Sequence, residues 1–109
     1  MVNEVIIVGK LVKEPVLNQT NNGLKVSNIT LETVRHYKNS LGIYESDFLD
    51  ITLWKGMAQT ICETCDVGST IAIKGRLQPR VYLETDHKYF GCLEIIAEKV
   101  TILDPYLSR

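Results

Sequence analysis

The clearest pattern along this chain is the alternation of apolar and polar residues between positions 48 and 54. Side chains of a β-strand alternate between two faces. One predicted face packs on a core and consists of Leu49, Ile51 and Leu53. The opposite, solvent-facing side then carries Phe48, Asp50, Thr52 and Trp54. Exposed rings cost about 25 cal/mol per Å² of apolar area. The pattern therefore predicts that a ligand, a partner or another subunit covers them, unless a second sheet does.

Five segments have the apolar and β-branched composition of strands. They are Val5–Lys10, Leu24–Thr33, Tyr44–Trp54, Thr70–Gln78 and Tyr89–Ile102. The strongest turn signal between them is the dipeptide Asn22-Gly23. Only the stretch Gly56–Cys65 has helical spacing, and its apolar face at i, i+4 and i+8 is formed by Met57, Ile61 and Cys65.

Five strands with one helix between the third and the fourth follow the order of an OB-type barrel, although other small barrels have the same count. The predicted fold class is all-β: a five-stranded OB-fold Greek-key barrel with one short helix between strands 3 and 4. A length of 109 residues predicts one OB-fold domain over residues 1–109. In the fourth strand, alternation points Ile71, Ile73 and Leu77 inward. Gly75 indicates either a bulge that closes the barrel or an unconstrained edge glycine.

Basic residues recur beside rings on three predicted elements: the loop before the third strand, the third strand itself, and the end of the fourth. In chain order the residues are Arg35, Tyr37, Lys38, Phe48, Trp54, Lys74, Arg76, Arg80 and Tyr82. Each charged segment alone is typical of a solvated face. Their recurrence favours a single-stranded nucleic acid as ligand, because cations follow phosphates while flat rings stack on bases of any identity.

The overall composition does not itself point to nucleic acid, because the formal net charge is -1. Any attraction for phosphate must come from where the cations lie. Hydrophobic residues make up 45% of the chain, which is typical of a globular protein. The apolar run Val5–Val8 is too short for a secretory signal or a membrane span. Three cysteines in such a chain favour reduced thiols in the cytoplasm.

No catalytic chemistry is indicated. Cys62 and Cys65 have the CxxC spacing of redox and zinc sites, but zinc would require two further ligands. The remaining candidates, His36, His87 and Cys92, lie on separate segments. Cys65 belongs to the apolar face of the helix, so packing accounts for it. The sequence predicts a protein that is not an enzyme and binds no metal, no cofactor and no membrane.

Several stretches, by their order and spacing together, resemble the bacterial-type single-stranded-DNA-binding protein family over about residues 2–104. The stretches are Asn3–Leu11 (NEVIIVGKL), Glu14-Pro15, Asn22-Gly23, Asn28–Leu31 (NITL), Asp47–Met57 (DFLDITLWKGM) and Val67–Leu77 (VGSTIAIKGRL). The resemblance implies an OB barrel, in agreement with the strand count. It also implies a protein that binds and protects single-stranded DNA without strong sequence preference during replication, recombination or repair.

The resemblance also implies a site. Members of the family stack bases on four aromatic positions, which correspond to Tyr37, Phe48, Trp54 and Tyr82. The basic residues near them, by resemblance and by face, are Arg35, Lys38, Lys55, Lys74, Arg76 and Arg80, with Lys10 and Lys13 as weaker candidates. Two of the four positions carry tyrosine where relatives often carry tryptophan. Asp50 lies between two rings and would repel phosphate unless it binds a cation or points to a loop.

Family members are usually homotetramers, so the resemblance implies a homo-oligomer, with Val5–Val8 as the expected pairing edge. The chain ends at Asp104–Arg109 without the flexible linker and acidic tip that recruit replication and repair enzymes. We therefore expect either a tail-less member, such as a phage, plasmid or primosomal type, or a shortened chain. This length and the near-zero charge leave a second function open: an OB-fold primosomal-type adaptor that acts mainly through protein–protein contacts.

Overall fold

Alternating and β-branched sequences form strands over most of this chain. The structure is a computed structural model that describes residues 1–85 and 88–103, without the side chains of residues 81–91. Its elements are β1 (Val5–Leu11), β2 (Asn18–Gln19), β3 (Lys25–Lys38), β4 (Tyr44–Trp54), α1 (Lys55–Thr64), β5 (Thr70–Thr85) and β6 (Lys88–Ile102). Apart from the two-residue β2, five long strands with α1 between the third and the fourth confirm the predicted order. Nowhere in residues 1–85 and 88–103 is a helix long and apolar enough to cross a membrane.

The five long strands form a closed barrel. β1 pairs antiparallel with β5 and then, at Lys10 and Leu11, with β3. β5 pairs antiparallel with β6, β6 runs parallel to β4, and β4 pairs antiparallel with β3. Because β3 returns to β1, the order β1-β5-β6-β4-β3 closes on itself. This is the arrangement of an OB barrel.

The core fills the interior of the barrel. It consists of inward-facing residues of the strands and of residues on one side of α1. Its buried members are Ile7, Leu11, Ile29, Leu31, Ile51, Leu53, Ala58, Ile61, Cys65, Ile71, Ile73 and Ala97. Leu53 and Ile61 are completely buried. The predicted inward face of β4 and the predicted apolar face of the helix are therefore confirmed. Cys65 is 3% exposed and packs in this core, as its place in the apolar pattern predicts.

The β3–β4 hairpin is longer than the sequence predicts, because β3 continues to Lys38 instead of ending at Thr33. The turn that follows is closed by Asn39, whose Oδ1 accepts hydrogen bonds from the backbone N–H groups of Leu41 and Ile43. Gly42 completes the turn at φ +78°, in the left-handed region that favours glycine. Of the segment His36–Gly42, which the sequence predicts as a polar loop, the part up to Lys38 is therefore strand and the rest forms the turn.

β5 leaves the barrel at Gly75, where its register with β6 shifts and forms a bulge. A Cβ atom at Gly75 would lie 2.2 Å from the carbonyl oxygen of Ile96, so this close approach requires glycine. The bulge interpretation of Gly75 is thus confirmed. The prediction that Leu77 points into the core is wrong, because its side chain is 36% exposed. β1 pairs with β5 only as far as Gly75. Beyond Gly75, β5 and β6 continue as a hairpin that is not paired with β1.

Candidate nucleic-acid interface

The even-numbered residues of β3 and β4 form one row on the outer face of the barrel. The strand register pairs Val26 with Trp54, Asn28 with Thr52, Thr30 with Asp50, and Glu32 with Phe48. Partners directly opposite each other in an antiparallel pair lie on the same face with Cβ atoms about 5 Å apart. We call these four pairs the outer ladder.

The two rings of the outer ladder stand at its ends, roughly 20 Å apart along the strand. Phe48 is 62% exposed, as predicted. Trp54 is half-buried, because β4 ends there and α1 begins at the next residue. It lines a depression together with Lys55 and Arg76. One ring is therefore open to solvent, whereas the other is set into the junction between strand and helix.

The centre of the outer ladder is polar and hydrogen-bonded. The Thr30 hydroxyl donates to Asp50 Oδ1 over 2.6 Å, and the Thr52 hydroxyl donates to Asn28 Oδ1 over 3.0 Å. The prediction that Thr52 faces solvent is wrong, because it is 7% exposed. β6 lies beside β4 at this point and pairs Ile96 with Thr52, which covers the threonine. Asp50 accepts a hydrogen bond from a hydroxyl of its own ladder, and no cation in the described part of the chain forms an ion pair with it.

The polar centre opens into a groove of about 330 Å³ that extends onto β6 and β5, and we call it the outer groove. It is lined by Lys13, Asn28, Thr30, Asp50, Thr52, Arg80, Cys92, Leu93 and Glu94. Arg76, Gln78 and Arg80 share one side of β5 by alternation. The depression at Trp54 and the outer groove therefore belong to one surface, which runs across β3, β4, β6 and β5.

The predicted cations of β5 each contact an acidic residue. The Lys74 amino group lies 3.0 Å from Glu4, Arg76 lies 3.5 Å from Glu98, and Arg80 lies 3.7 Å from Glu94. Glu4 raises the pKa of Lys74 above its ordinary value through a hydrogen bond and its charge. Exposed ion pairs of this kind are weak, so a phosphate can replace the carboxylate.

Lys55 differs from these three residues. It is exposed at the first position of α1 and, among the described residues, forms no ion pair. Its backbone lies at φ +58°, which is uncommon for a residue other than glycine. Lys55 can therefore meet a phosphate without displacing a carboxylate.

Arg35 lies on the opposite face of the β3–β4 hairpin from Phe48. Its guanidinium donates hydrogen bonds of 2.8 and 3.1 Å to Asp47 and one of 3.4 Å to Glu45. Asp47 belongs to the inward, odd-numbered row of β4. The hydrogen bond from Arg35 holds the pKa of Asp47 below its ordinary value, and Asp47 in turn raises the pKa of Arg35. Arg35 thus joins the two strands of the hairpin.

Tyr37 also lies away from the outer ladder. It is 66% exposed and lines a second groove of about 650 Å³ with Arg35 of β3 and with Ile6 and Val8 of β1. We call this the β1 groove. Within the chain, Tyr37 and Arg35 therefore line a different groove from the surface that carries Phe48 and Trp54.

The remaining predicted residues are dispersed. The Lys38 amino group lies 5.5 Å from the centre of the Tyr44 ring, in a cation–π contact. Tyr82 lies in β5, but its side chain is outside the described part of the chain. Of the two weaker candidates, Lys13 lines the outer groove and Lys10 is exposed on β1.

The cysteines have no disulfide, and no group of three or more metal-ligating side chains is found among the described residues. Cys62 contacts the Ser27 hydroxyl at 3.6 Å, which places it beside the core. The polar centre formed by Asn28, Thr30 and their partners was missed by the sequence interpretation. Alternation along β3 could have placed Asn28 and Thr30 on the outer face. Their pairing with Thr52 and Asp50 could not be predicted, because it depends on the register between β3 and β4.

An OB barrel whose outer surface combines rings, hydrogen-bonding groups and cations defines a binding protein of the OB class. Residues 2–103 match the model of the single-strand binding protein family. The chain belongs to this family, which consists of binding proteins and not of enzymes.

Curated relatives agree with this assignment. Single-stranded DNA-binding protein B of Bacillus subtilis is 35% identical over 105 residues, covering 96% of this chain and 93% of the relative. The single-stranded DNA-binding protein of Bacillus cereus is 38% identical over 105 residues, and there the match spans 62% of the relative's length. Single-stranded DNA-binding protein 2 of Staphylococcus aureus is 34% identical, with 74% of its length covered.

A solved structure supports the fold. A deletion mutant of the single-stranded DNA binding protein from Thermus aquaticus superimposes with a TM-score of 0.77. The match covers 96% of this chain and 52% of that one, with 20% sequence identity. At this identity the likeness concerns the fold, and it confirms the OB barrel predicted from the order of elements.

Proposed function

We propose that this chain binds and protects single-stranded DNA along its outer surface during replication, recombination or repair, without chemistry and without a cofactor. The observation that carries the proposal is the outer ladder, with a ring at each end and a polar groove between them. Family membership and the names of the relatives support it. Nothing in the comparisons supports the alternative, an adaptor that acts mainly through protein contacts.

The proposed binding mode follows from the geometry of the outer ladder. Phe48 is held on a regular strand, so stacking a base on its ring costs little additional ordering. Trp54 is fixed by its half-buried position and presents the exposed part of its ring beside Lys55 and Arg76. The roughly 20 Å between the rings leaves room for nucleotides along the outer groove.

The phosphates of the strand would contact the cations that border this surface: Lys55, Lys74, Arg76 and Arg80. Three of these are paired with Glu4, Glu94 or Glu98. The phosphates of DNA would therefore compete with these carboxylates for the cations. A chain with a net charge of -1 can in this way still offer local cationic sites to DNA. Single-strand affinity should fall steeply with added salt, because each neutralised phosphate releases counterions.

The β1 edge supports a proposal about assembly. β1 pairs with β3 only at Lys10 and Leu11, so Val5–Val8 has an unpaired edge on that side. Ile6 and Val8 are 74% and 52% exposed, and an open, apolar edge strand favours pairing with a second chain. We propose a homotetramer built through this edge, working in the cytoplasm at the nucleoid. Tyr37 borders the β1 groove, so it would reach DNA near a boundary between subunits.

Fluorescence tests the binding mode, because Trp54 is the only tryptophan of the chain. Titration with oligo-dT should strongly quench its emission at micromolar or lower protein concentration, since a stacked base contacts the indole. Double-stranded DNA of the same length is the control and should quench it far less. Emission that ignores saturating oligo-dT would refute stacking on Trp54.

Light scattering at micromolar protein tests the assembly. A mass of about four chains is expected, and a matched variant with Ile6→Lys and Val8→Lys on the open edge should dissociate. A wild-type protein that remains monomeric would contradict the proposed tetramer, without bearing on DNA binding by the outer surface.

A further inference from the structure

The base of the β5–β6 hairpin is held by a side chain of the N-terminal segment. The Asn3 amide donates a hydrogen bond of 2.7 Å to the Leu77 carbonyl oxygen, and Asn3 Oδ1 accepts one of 2.9 Å from the Leu77 N–H. Two residues of an antiparallel sheet exchange their backbone bonds in the same way. Here the amide of a side chain takes the place of one backbone. We call this pair of residues the N-terminal clamp.

The N-terminal clamp lies where β1 no longer pairs with β5. The last pair between these strands is Val5 with Gly75, and the same register would place Asn3 opposite Leu77. β1 itself begins at Val5, so its backbone does not satisfy the N–H and C=O groups of Leu77. Backbone groups of this kind require partners. The side chain of Asn3 thus continues the ladder past the end of β1.

A second contact attaches the same segment to β5. The Glu4 carboxylate lies 3.0 Å from the Lys74 amino group, and Glu4 follows Asn3 directly in the chain. Lys74 and Leu77 lie on either side of Gly75, where the register of β5 shifts and the strand bends. The N-terminal segment therefore spans the bulge and restrains β5 on both sides of it.

The opposite side of the hairpin is attached to β4. β6 pairs Ile95 with Ile51, and β5 pairs Leu77 with the same Ile95. At one level of the sheet, the hairpin is therefore fixed through Ile95 on one side and through the N-terminal clamp on the other. Loss of the clamp would leave the attachment to β4 and a glycine bulge, which together form a hinge.

The hairpin carries one wall of the outer groove. Arg80, Leu93 and Glu94 line this groove on the side opposite the outer ladder. Arg80 lies about 10 Å beyond Leu77 along β5. It is paired with Glu94 at 3.7 Å, which joins the two strands of the hairpin to each other. A rotation at Leu77 would therefore move this wall as a unit and change its distance from the outer ladder.

We propose that Asn3 is a positioning residue for DNA binding. Its side chain fixes the angle at which the β5–β6 hairpin leaves the barrel, and this angle places Arg80 and Leu93 across the outer groove from the outer ladder. Without the clamp, a bound strand would have to order the hairpin, and this ordering costs affinity. The inference rests on the proposed function, and Asn3 acts on DNA only through the hairpin.

Backbone amide hydrogen exchange tests the clamp in the wild-type protein without DNA. The Leu77 N–H should exchange much more slowly than the same amide in an unstructured peptide, because Asn3 Oδ1 accepts its hydrogen bond. In Asn3→Ala the Leu77 amide should exchange faster, whereas that of Ile73 in the middle of β5 should be unchanged. An unprotected Leu77 amide in the wild type overturns the inference, whether or not the variant folds.

Affinity for oligo-dT across a series of NaCl concentrations tests the effect on binding. Asn3→Ala should bind several-fold more weakly, and its slope of log affinity against log salt should fall by about 0.7, because Arg80 no longer neutralises a phosphate. Arg80→Gln should lower the slope by the same amount. The double variant should have the slope of Arg80→Gln alone, since both changes remove one contact. A slope in Asn3→Ala equal to that of the wild type, or additive reductions in the double variant, overturns the inference.

Ser69→Ala is the matched control. Ser69 lies directly before β5, and its Oγ accepts a hydrogen bond of 3.1 Å from the Asp66 N–H, so the variant loses the same type of contact at the other end of the strand. It should keep the affinity and the slope of the wild type. Light scattering should give both variants the wild-type mass, and a changed mass in Asn3→Ala would overturn the inference by assigning its effect to assembly.

The failure of the proposed function has a different signature. A wild-type protein that does not bind oligo-dT would overturn DNA binding by the outer surface and, with it, the role of Asn3 in that binding. A wild-type protein that binds oligo-dT while Asn3→Ala binds it equally well overturns the inference alone.

Discussion

The two faces of the β3–β4 pair share one backbone but differ in every property that matters for function. Towards the barrel, cross-strand pairs such as Ile29–Ile51 and Leu31–Leu49 are apolar and form the core. Away from it, the neighbouring pairs of the outer ladder carry a ring at each end and hydrogen-bonded polar groups between. A single strand therefore supports the fold with one set of side chains and offers a ligand the other. Stability and binding should be separable residue by residue.

The separation is incomplete at both ends of β4. At one end Trp54 is set into the junction with α1, so an outer residue also packs. At the other end Arg35 and Asp47 occupy the inward row beyond the core and form an ion pair. Substitutions on each face measure how far stability and binding are independent.

The largest effect is expected on the inward face. Leu53→Ala removes a completely buried side chain, so the free energy of unfolding should fall by about 3 kcal/mol. Urea unfolding measures this loss. The matched variant Phe48→Ala, on the other face, should change stability by less than about 1 kcal/mol. Greater destabilisation by Phe48→Ala than by Leu53→Ala would mean that the two faces are assigned the wrong way round.

The next effect concerns binding by the outer face. Phe48→Ala and Trp54→Ala should each weaken oligo-dT binding by about 1–3 kcal/mol, or roughly 5- to 150-fold, through lost stacking. Trp54→Ala should also lower stability, because the side chain is half-buried. Fluorescence anisotropy of labelled oligo-dT provides the affinities. Tyr37→Ala should weaken binding less, and a loss as large as that of Phe48→Ala would place DNA in the β1 groove.

A smaller effect distinguishes the cations of the two faces. Lys55→Gln should reduce the slope of log affinity against log salt by about 0.7, the value for one phosphate contact to a single strand. Arg35→Gln should leave the slope unchanged, because Arg35 is bound to Asp47 on the inward row. Affinities at four or more NaCl concentrations provide the slopes. A larger reduction in Arg35→Gln than in Lys55→Gln would reverse the assignment of these cations.

The smallest effect is the pH dependence of the Arg35–Asp47 pair. The pKa of Asp47 is lower in the folded protein than the ordinary value of about 3.9, so its ionised form stabilises the fold. This contribution is fully present above about pH 5 and is lost as the pH falls through the folded pKa. The stability difference between wild type and Asp47→Asn should therefore shrink below about pH 4. A difference that is constant down to pH 2 would contradict this linkage.

What the sequence by itself determined about this protein is local. Leu49, Ile51 and Leu53 were assigned to the core and Phe48 to solvent because alternation is a property of the strand backbone. The helix and its buried face followed from spacing in the same way. The order of these elements, together with the resemblance, was sufficient for the OB barrel.

Tertiary structure decided the exposure and the partners of individual side chains, because both depend on which strand lies beside which. Thr52 is buried because β6 lies beside it, and Leu77 is exposed because β1 stops pairing with β5 at Gly75. Arg35 and Phe48 belong to the same β3–β4 hairpin but lie on opposite faces of it. The partner of Asp50 is a hydroxyl 20 residues away in the chain. These features follow from the register between distant segments, and the periodicity of a single segment contains no information about that register.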